Sequence, residues 1–340
     1  MKAVVLVGGE GTRLRPLTYI TVKAMVPVLN KPFIEYIIRH LNNHNIRDIV
    51  LAIGYKPDSI TEYFTSDKQI EARLFYSIET KPMGTAGALK NAEKYIDEPV
   101  VAMNGDIFSD IDYTDMIRFH RKKGARVTIA LTPVEDPTRF GVVETDRNYK
   151  VTRFVEKPRR EAVTSNMINA GVYIIEKEVL KRIPEGQHCM FENTIFPALI
   201  NDQEPVYGYV TDAYWMDMGT PEKYLQLNGD LLCGKSSQVD FKKTDISISQ
   251  QSSIHPKSKL AGPVLVDRNC KIGEGVELKG PVVVGHGCEI GNDALIGNSV
   301  LWQNVTIGRK AILKDSIVAS CSCIDDNEAI TGALIARTAK

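Results

Sequence analysis

The 340-residue chain is poor in cysteine and tryptophan and carries no net charge. Its six cysteines (Cys189, Cys233, Cys270, Cys288, Cys321 and Cys323) include no Cys-x-x-Cys pair, which argues against a zinc site or a redox couple and leaves free thiols as the expectation. Lys plus Arg (42) equals Asp plus Glu (42), so no overall field recruits nucleic acid or an anionic membrane, and neither is expected as a partner. Long hydrophobic runs are missing too. The apolar stretch from Ala3 to Val7 is far shorter than the ~20 residues a spanning helix needs, and no cleavage-site pattern follows it, so a cytoplasmic location is expected. What is present is an ordinary globular composition, 43% hydrophobic and 25% charged, which excludes disorder as the main state. At ~100–200 residues per domain, this length predicts two domains.

From Met1 to about Leu232, short apolar runs alternate with helical patterns. Ala3–Val7, Ile49–Ile53, Leu74–Ile78, Val100–Met103 and Val127–Leu131 read as buried strands, and Phe33–Leu41 and Ala86–Tyr95 as amphipathic helices. This alternation predicts an α/β, Rossmann-like domain with a mostly parallel central sheet and ligands at the carboxyl ends of its strands. The stretch 234–247 is polar and aperiodic, as a linker would be.

Beyond it, Ile248, Ile254, Leu260, Val266, Ile272, Leu278, Val284, Ile290, Ile296 and Trp302 fall at six-residue intervals. After a one-residue slip the period resumes at Ile307, Leu313 and Ala319. Such hexapeptide repeats predict a parallel β-helix, three hexads to a triangular coil, with the periodic residue pointing inward and about four coils in all. The repeat resembles the left-handed β-helix of bacterial acyltransferases and nucleotidyltransferases, and left-handedness is what that resemblance implies. The expected division is therefore a domain over 1–233, a linker over 234–247 and a β-helix over 248–340.

The strand Ala3–Val7 runs into Gly8-Gly9-Glu10-Gly11-Thr12-Arg13-Leu14-Arg15-Pro16-Leu17-Thr18. Three glycines in four positions let backbone N–H groups approach an anion, and Arg13 can neutralise phosphate oxygens. The string is neither a Walker A motif nor a dinucleotide fingerprint. Together with Lys23-x-Met25-Val26-Pro27-Val28, Gly84-Thr85-Ala86-Gly87, Asn104-Gly105-Asp106, Phe140-Gly141-Val142, Glu156-Lys157-Pro158, Asn169-Ala170-Gly171 and Trp215-x-Asp217-x-Gly219-Thr220, it resembles the sugar-1-phosphate nucleotidyltransferase family. The blocks stand in family order and cover nearly all of the first domain.

That resemblance implies transfer of a nucleoside monophosphate from a nucleoside triphosphate to a sugar 1-phosphate, with release of pyrophosphate. It implies catalytic roles for Arg13, Lys23, Asp106, Lys157 and Asp217. Asp106 and Asp217 match the pair that holds Mg²⁺, a hard cation suited to carboxylate and phosphate oxygens. Gly8, Gly9, Gly11, Thr12, Arg13, Glu79, Gly84 and Thr85 would bind the nucleotide. Gly141, Glu156, Lys157, Asn169 and Gly171 would bind the sugar phosphate, and Glu192 matches a recurrent family carboxylate. Ala24 departs from the family's usual Lys-Pro.

Glu79 stands where many relatives carry glutamine. A carboxylate only accepts hydrogen bonds, and guanine offers N1–H and an N2 amino group side by side, whereas uracil and thymine flank a single N3–H with carbonyls. The expectation is GTP, in keeping with a resemblance of Val5–Gly9 and Tyr76–Glu79 to mannose-1-phosphate guanylyltransferases; the alternatives are glucose-1-phosphate uridylyl or thymidylyl transfer. Two readings of another class stand beside these. His255 and His286 could serve an acyltransferase in the β-helix, although solvated turn histidines are expected. A catalytically silent nucleotide-sugar-binding subunit should lack a metal or phosphate group, and all are present. The open ends of the β-helix predict a homo-oligomer.

Overall fold

The computed structural model describes residues 1–66 and 70–336. The last four positions of the expected β-helix, 337–340, lie outside the described residues, as do 67–69. The chain packs as two compact units: Met1–Glu10 with Ile34–Trp215, and Gly11–Phe33 with the chain from Met216 onward.

The first unit is built on a nine-stranded sheet: β1 (Lys2–Val7), β2 (Asp48–Ile53), β3 (Arg73–Ile78), β4 (Val100–Asn104), β5 (Val127–Pro133), β6 (Gly141–Thr145), β7 (Val151–Glu156), β8 (Met167–Ile175) and β9 (Val206–Val210). Its order is β7-β6-β8-β4-β1-β2-β3, and β5 pairs with both β8 and β9. The parallel half, β4-β1-β2-β3, sets Val4 beside Val50 on one side and Ala102 on the other. Its three inner strands, β1, β2 and β4, are nearly continuous runs of Val, Ile, Leu and Ala, as a sheet covered on both faces requires, whereas the edge strand β3 is mixed and only partly buried. One core joins Val4, Val50, Val100 and Ala102 to Leu89, Ile129, Tyr173 and Phe196. The helix Phe33–Asn43 buries Ile34, Ile37, Ile38 and Leu41, the spacing of one helical face. In the other half β8 runs antiparallel to β4, β5 and β6, β6 and β7 form a hairpin, and β9 runs parallel to β5.

In the second unit a parallel β-helix follows the helix Pro221–Leu232. Its strands stack in three columns, one of six levels and two of five, so about five coils form where the repeat count predicts about four. The register also corrects two inward positions. Ile248, Val266 and Val284 are aligned eighteen residues apart, but Val284, Leu301, Val318 and Ile335 follow at seventeen. Leu301 and Val318 thus take the inner places expected for Trp302 and Ala319, because each later coil drops one residue. Trp302 is buried outside that core, where its indole N–H donates to Tyr224 Oη at 2.9 Å. Ile248 is 40% exposed and Ile246 43%, because the first strand has a neighbouring coil on one side only.

The β-helix corners explain the glycine and asparagine scattered through the repeat. One corner column is Asn269, Gly287, Asn304 and Cys321, all at φ between 56° and 70°. Each of the last three donates its N–H to the carbonyl of the residue before the preceding corner: Arg268, His286 and Gln303. Asparagine and glycine enter the left-handed region at least cost.

Candidate functional site

Each unit gathers part of the residue set singled out from the sequence. In the first unit the segments converge at the carboxyl ends of β1, β3 and β4. Gly8 and Gly9 leave β1 exposed, and Glu79 leaves β3 buried, its N–H held by the Ile53 carbonyl at 2.9 Å. A side chain on Gly8 would put its Cβ 3.1 Å from Glu79 Oε1, so the glycine is what lets this carboxylate lie against the loop backbone. Glu79 Oε2 accepts the Met83 N–H at 3.0 Å, while Oε1 is buried with no hydrogen-bond partner among the described residues. Burial pushes the Glu79 carboxyl up, and the Met83 bond offsets only part of that.

Gly84, at φ 71°, opens the helix Gly84–Asn91; a Cβ there would lie 2.6 Å from the Cys189 carbonyl. Thr85 Oγ accepts the Phe191 N–H at 3.0 Å and donates to Glu192 Oε2 at 2.8 Å. Glu192 sits on a π-helical turn, Phe191–Ile195, and Tyr173 Oη donates to its Oε1 at 3.2 Å. Asn169 Nδ2 donates to Tyr173 Oη at 2.8 Å, and Asn169 Oδ1 accepts the Gly171 N–H at 2.9 Å. A continuous hydrogen-bonded chain therefore joins the predicted nucleotide residue Thr85 to the predicted sugar residues Asn169 and Gly171. Desolvation raises the Glu192 carboxyl, with its hydrogen bonds pulling the other way. Tyr173, the middle of this chain, was not singled out by the sequence: its only signal is a tyrosine in an apolar strand, whose hydroxyl needs a partner when buried.

Asp106 follows β4 half-buried, after a turn in which the Gly105 N–H donates to the Leu6 carbonyl at 2.9 Å. Gly171, at φ 72°, lies against Asn104, whose Oδ1 is buried without a hydrogen bond among the described residues. This asparagine is a second polar group that the motif blocks contain but residue-by-residue reading leaves without a role. Gly141 is paired with Glu156 across the β6–β7 hairpin, and a Cβ on it would lie 2.9 Å from Glu156 Oε2. Lys157 follows at φ 45°, a left-handed backbone rarely taken by lysine, held by its N–H on the Phe140 carbonyl at 3.0 Å. Its ammonium, 68% exposed, lies 3.3 Å from Glu156.

The second unit holds Gly11, Thr12, Arg13, Lys23 and Asp217. Gly11 is at φ 65°, and a Cβ there would lie 2.9 Å from Thr18 and 3.0 Å from the Lys23 stem. Thr18 Oγ donates to the Gly11 carbonyl at 2.9 Å, closing the loop, and leaves Thr12 and Arg13 exposed on a single 3₁₀ turn. Ala24, the departure from Lys-Pro, is buried and continues a second such turn, Lys23–Met25. Arg13 and Asp217 both reach Gly219, where a Cβ would lie 3.0 Å from the guanidinium and 3.1 Å from either carboxylate oxygen. In the β-helix, His255 Nδ1 accepts the Lys257 N–H at 3.3 Å and His286 Nδ1 lies 3.2 Å from the Arg268 carbonyl; both histidines sit at turns.

Taken with known proteins, residues 2–233 match the family described as nucleotidyl transferase, and residues 260–339 match the GMPPB C-terminal domain. A Mycobacterium tuberculosis protein named mannose-1-phosphate guanylyltransferase is 36% identical over 80% of this chain and 77% of its own length. A Synechocystis protein named UTP–glucose-1-phosphate uridylyltransferase is 32% identical over 98% of this chain and 90% of its own. Among solved structures, HddC from Yersinia pseudotuberculosis complexed with GMP-PN has a TM-score of 0.59 and 31% identity, covering 67% of this chain and 97% of that one.

Proposed function

Because the chain belongs to the nucleotidyl transferase family, we propose that it transfers a guanylyl group from GTP to mannose 1-phosphate, giving GDP-mannose and pyrophosphate. The observation that carries the choice of base is Glu79: a buried carboxylate beside Gly8, with one oxygen engaged by Met83 and the other left to accept. Two adjacent N–H donors of guanine suit it, and the paired carbonyls of uracil or thymine oppose it. The names of the Mycobacterium relative and of the C-terminal domain family agree with this choice. The Synechocystis relative makes uridylyl transfer the competing outcome.

A phosphate oxygen of mannose 1-phosphate forms the new bond to the α-phosphorus as the bond to the β-bridging oxygen breaks, and its electron pair leaves with pyrophosphate. The protein contributes positioning and charge stabilisation, with no covalent intermediate. Arg13 and Lys23 neutralise the triphosphate, and the N–H groups of the Gly8–Gly11 loop cradle it. Lys157 pairs with the sugar phosphate, and Glu156 and Asn169 hydrogen-bond the sugar hydroxyls. Asp106 and Asp217 would hold Mg²⁺. Their donors fit it: hard carboxylate oxygens, with no gathering of three or more His, Cys, Asp or Glu side chains among the described residues, so phosphate and water oxygens would complete its shell. Bound there, the cation would offset charge on the phosphates.

The test is pyrophosphate release from a panel of five triphosphates against glucose, mannose, galactose and N-acetylglucosamine 1-phosphates with Mg²⁺. GTP with mannose 1-phosphate should give the highest kcat/KM. A preference for UTP or dTTP overturns the base assignment, and no release from any pair favours a regulatory, non-catalytic role.

A further inference from the structure

The segment Gly11–Phe33, which carries Arg13 and Lys23, packs in the same compact unit as the β-helix, whereas the strand that precedes it in the chain belongs to the other unit. The bonds responsible can be followed residue by residue. Pro27–Val28 and Lys31–Pro32 form a two-stranded hairpin whose turn residues, Leu29 and Asn30, have φ of 44° and 66°. Asparagine takes such a turn readily, but leucine does so at a cost. Leu29 is held there by its N–H, which donates to Asn228 Oδ1 at 3.0 Å, and by burial of its side chain. Asn228 is itself buried and oriented by its Nδ2, which donates to the Tyr224 carbonyl at 2.9 Å.

Two further links reach the coils. Tyr224 Oη donates to the Pro27 carbonyl and accepts the Trp302 indole N–H at 2.9 Å. Asn30 Nδ2 donates to the Val284 carbonyl at 3.1 Å. On the other side the hairpin closes with Phe33 N–H on the Val26 carbonyl at 3.1 Å, and the Val26 N–H returns to the Lys23 carbonyl at 3.2 Å. Lys23 in turn abuts Gly11, as described above. A path of short contacts therefore runs from the β-helix core wall through the helix Pro221–Leu232 to the residues assigned to phosphate.

We propose that the β-helix acts as a positioning element for the phosphate-binding segment, with Trp302, Tyr224 and Asn228 as positioning residues that act through Pro27 and Leu29 on Lys23 and Arg13. Apolar packing alone would not need this arrangement: the side chains of Trp302, Tyr224 and Asn228 are buried and spend their hydrogen bonds along this path, and each bond left unmade would strand a desolvated group. The inference rests on the nucleotidyl-transfer reading for the roles of Lys23 and Arg13, but not for the tether itself.

The experiment compares Trp302→Phe and Asn30→Gly, each removing one link, and Tyr224→Phe, removing two, all in the full chain and keeping ring or turn, with Ile324→Val, which trims the coil core away from the path. Amide hydrogen exchange over residues 22–33 and steady-state kinetics are measured together. The first three variants should speed exchange in that segment by about tenfold, with kcat/KM for GTP falling by about the same factor and KM for mannose 1-phosphate unchanged. Ile324→Val should leave both unchanged. Wild-type exchange in Trp302→Phe and Tyr224→Phe overturns the proposal, and so does an equal acceleration in Ile324→Val, which would mean general loosening. If the wild-type protein transfers no nucleotide at all, the functional reading fails, and the exchange measurement still decides the tether.

Discussion

Replacing Glu79 with glutamine changes one buried atom and tests the base assignment directly. Glu79 Oε2 is engaged by the Met83 N–H, so the amide must either turn its oxygen to Met83 and its NH₂ toward the base, or the reverse. In the first case a donor faces the N1–H of guanine; in the second the Met83 N–H loses its acceptor in a buried place. Either arrangement forfeits a charge-assisted bond and strands a donor, a cost of about 1–3 kcal/mol. That corresponds to roughly a 5- to 150-fold loss in kcat/KM for GTP, with no comparable loss for UTP, whose carbonyls accept from the new NH₂.

The carboxyl is raised by burial, which gives the variant a second signature. The folded group holds its proton to higher pH than the unfolded one, so Glu79 costs stability increasingly as pH rises from the ordinary carboxylate range through its raised pKa. The thermal midpoint of Glu79→Gln should therefore exceed that of the wild type at neutral pH, and the gap should close in acid. Conversely, the wild-type KM for GTP should climb as the pH falls into that raised range, because a protonated carboxyl offers a donor where an acceptor is needed. Steady-state rates with GTP and UTP, and melting curves across pH, check all three. An unchanged ratio of GTP to UTP efficiency in the variant refutes the reasoning.

Asp106→Asn and Asp217→Asn should each abolish Mg²⁺-dependent turnover while keeping the wild-type melting midpoint; retained activity in both means that the metal assignment is wrong. Lys157→Ala should raise KM for mannose 1-phosphate roughly 10- to 100-fold and leave KM for GTP unaltered, since its exposed ammonium contributes little to folding. Leu313→Ala, in the fully buried β-helix core, should cost about 2–5 kcal/mol by denaturant titration of the full chain, and a midpoint equal to the wild type would contradict the coil assignment. Light scattering at micromolar concentration should report an oligomer, and Ile246→Ser with Ile248→Ser should weaken it; a monomeric wild type contradicts assembly through that end.

The parallel strands and the coils were legible in the sequence because each has a strong period or an unbroken apolar run. Strands β6 and β8 were not. Gly141 and the Asn169–Gly171 bend interrupt their apolar pattern, and these are the places where site residues replace core residues. The repeat shows the opposite limit. Trp302 continues the six-residue count, yet the register, which only stacking between coils defines, gives the inner place to Leu301. Motif blocks named Asp106, Glu156 and Lys157 without knowledge of the fold. The Thr85–Glu192–Tyr173–Asn169 chain was beyond reach, because its members are up to 107 residues apart in sequence.

The change from eighteen-residue to seventeen-residue coils shows what stacked coils tolerate. Val284 pairs with Leu301, Ile290 with Ile307 and Ile296 with Leu313, so all three columns stay paired across the step. The missing residue comes out of one corner, where Gly280-Pro281 in one coil is followed by Asn298 alone in the next. A difference of one residue in perimeter is therefore no bar to a further strand layer, and the open first coil stays a template for a strand of another copy whatever that copy's coil length.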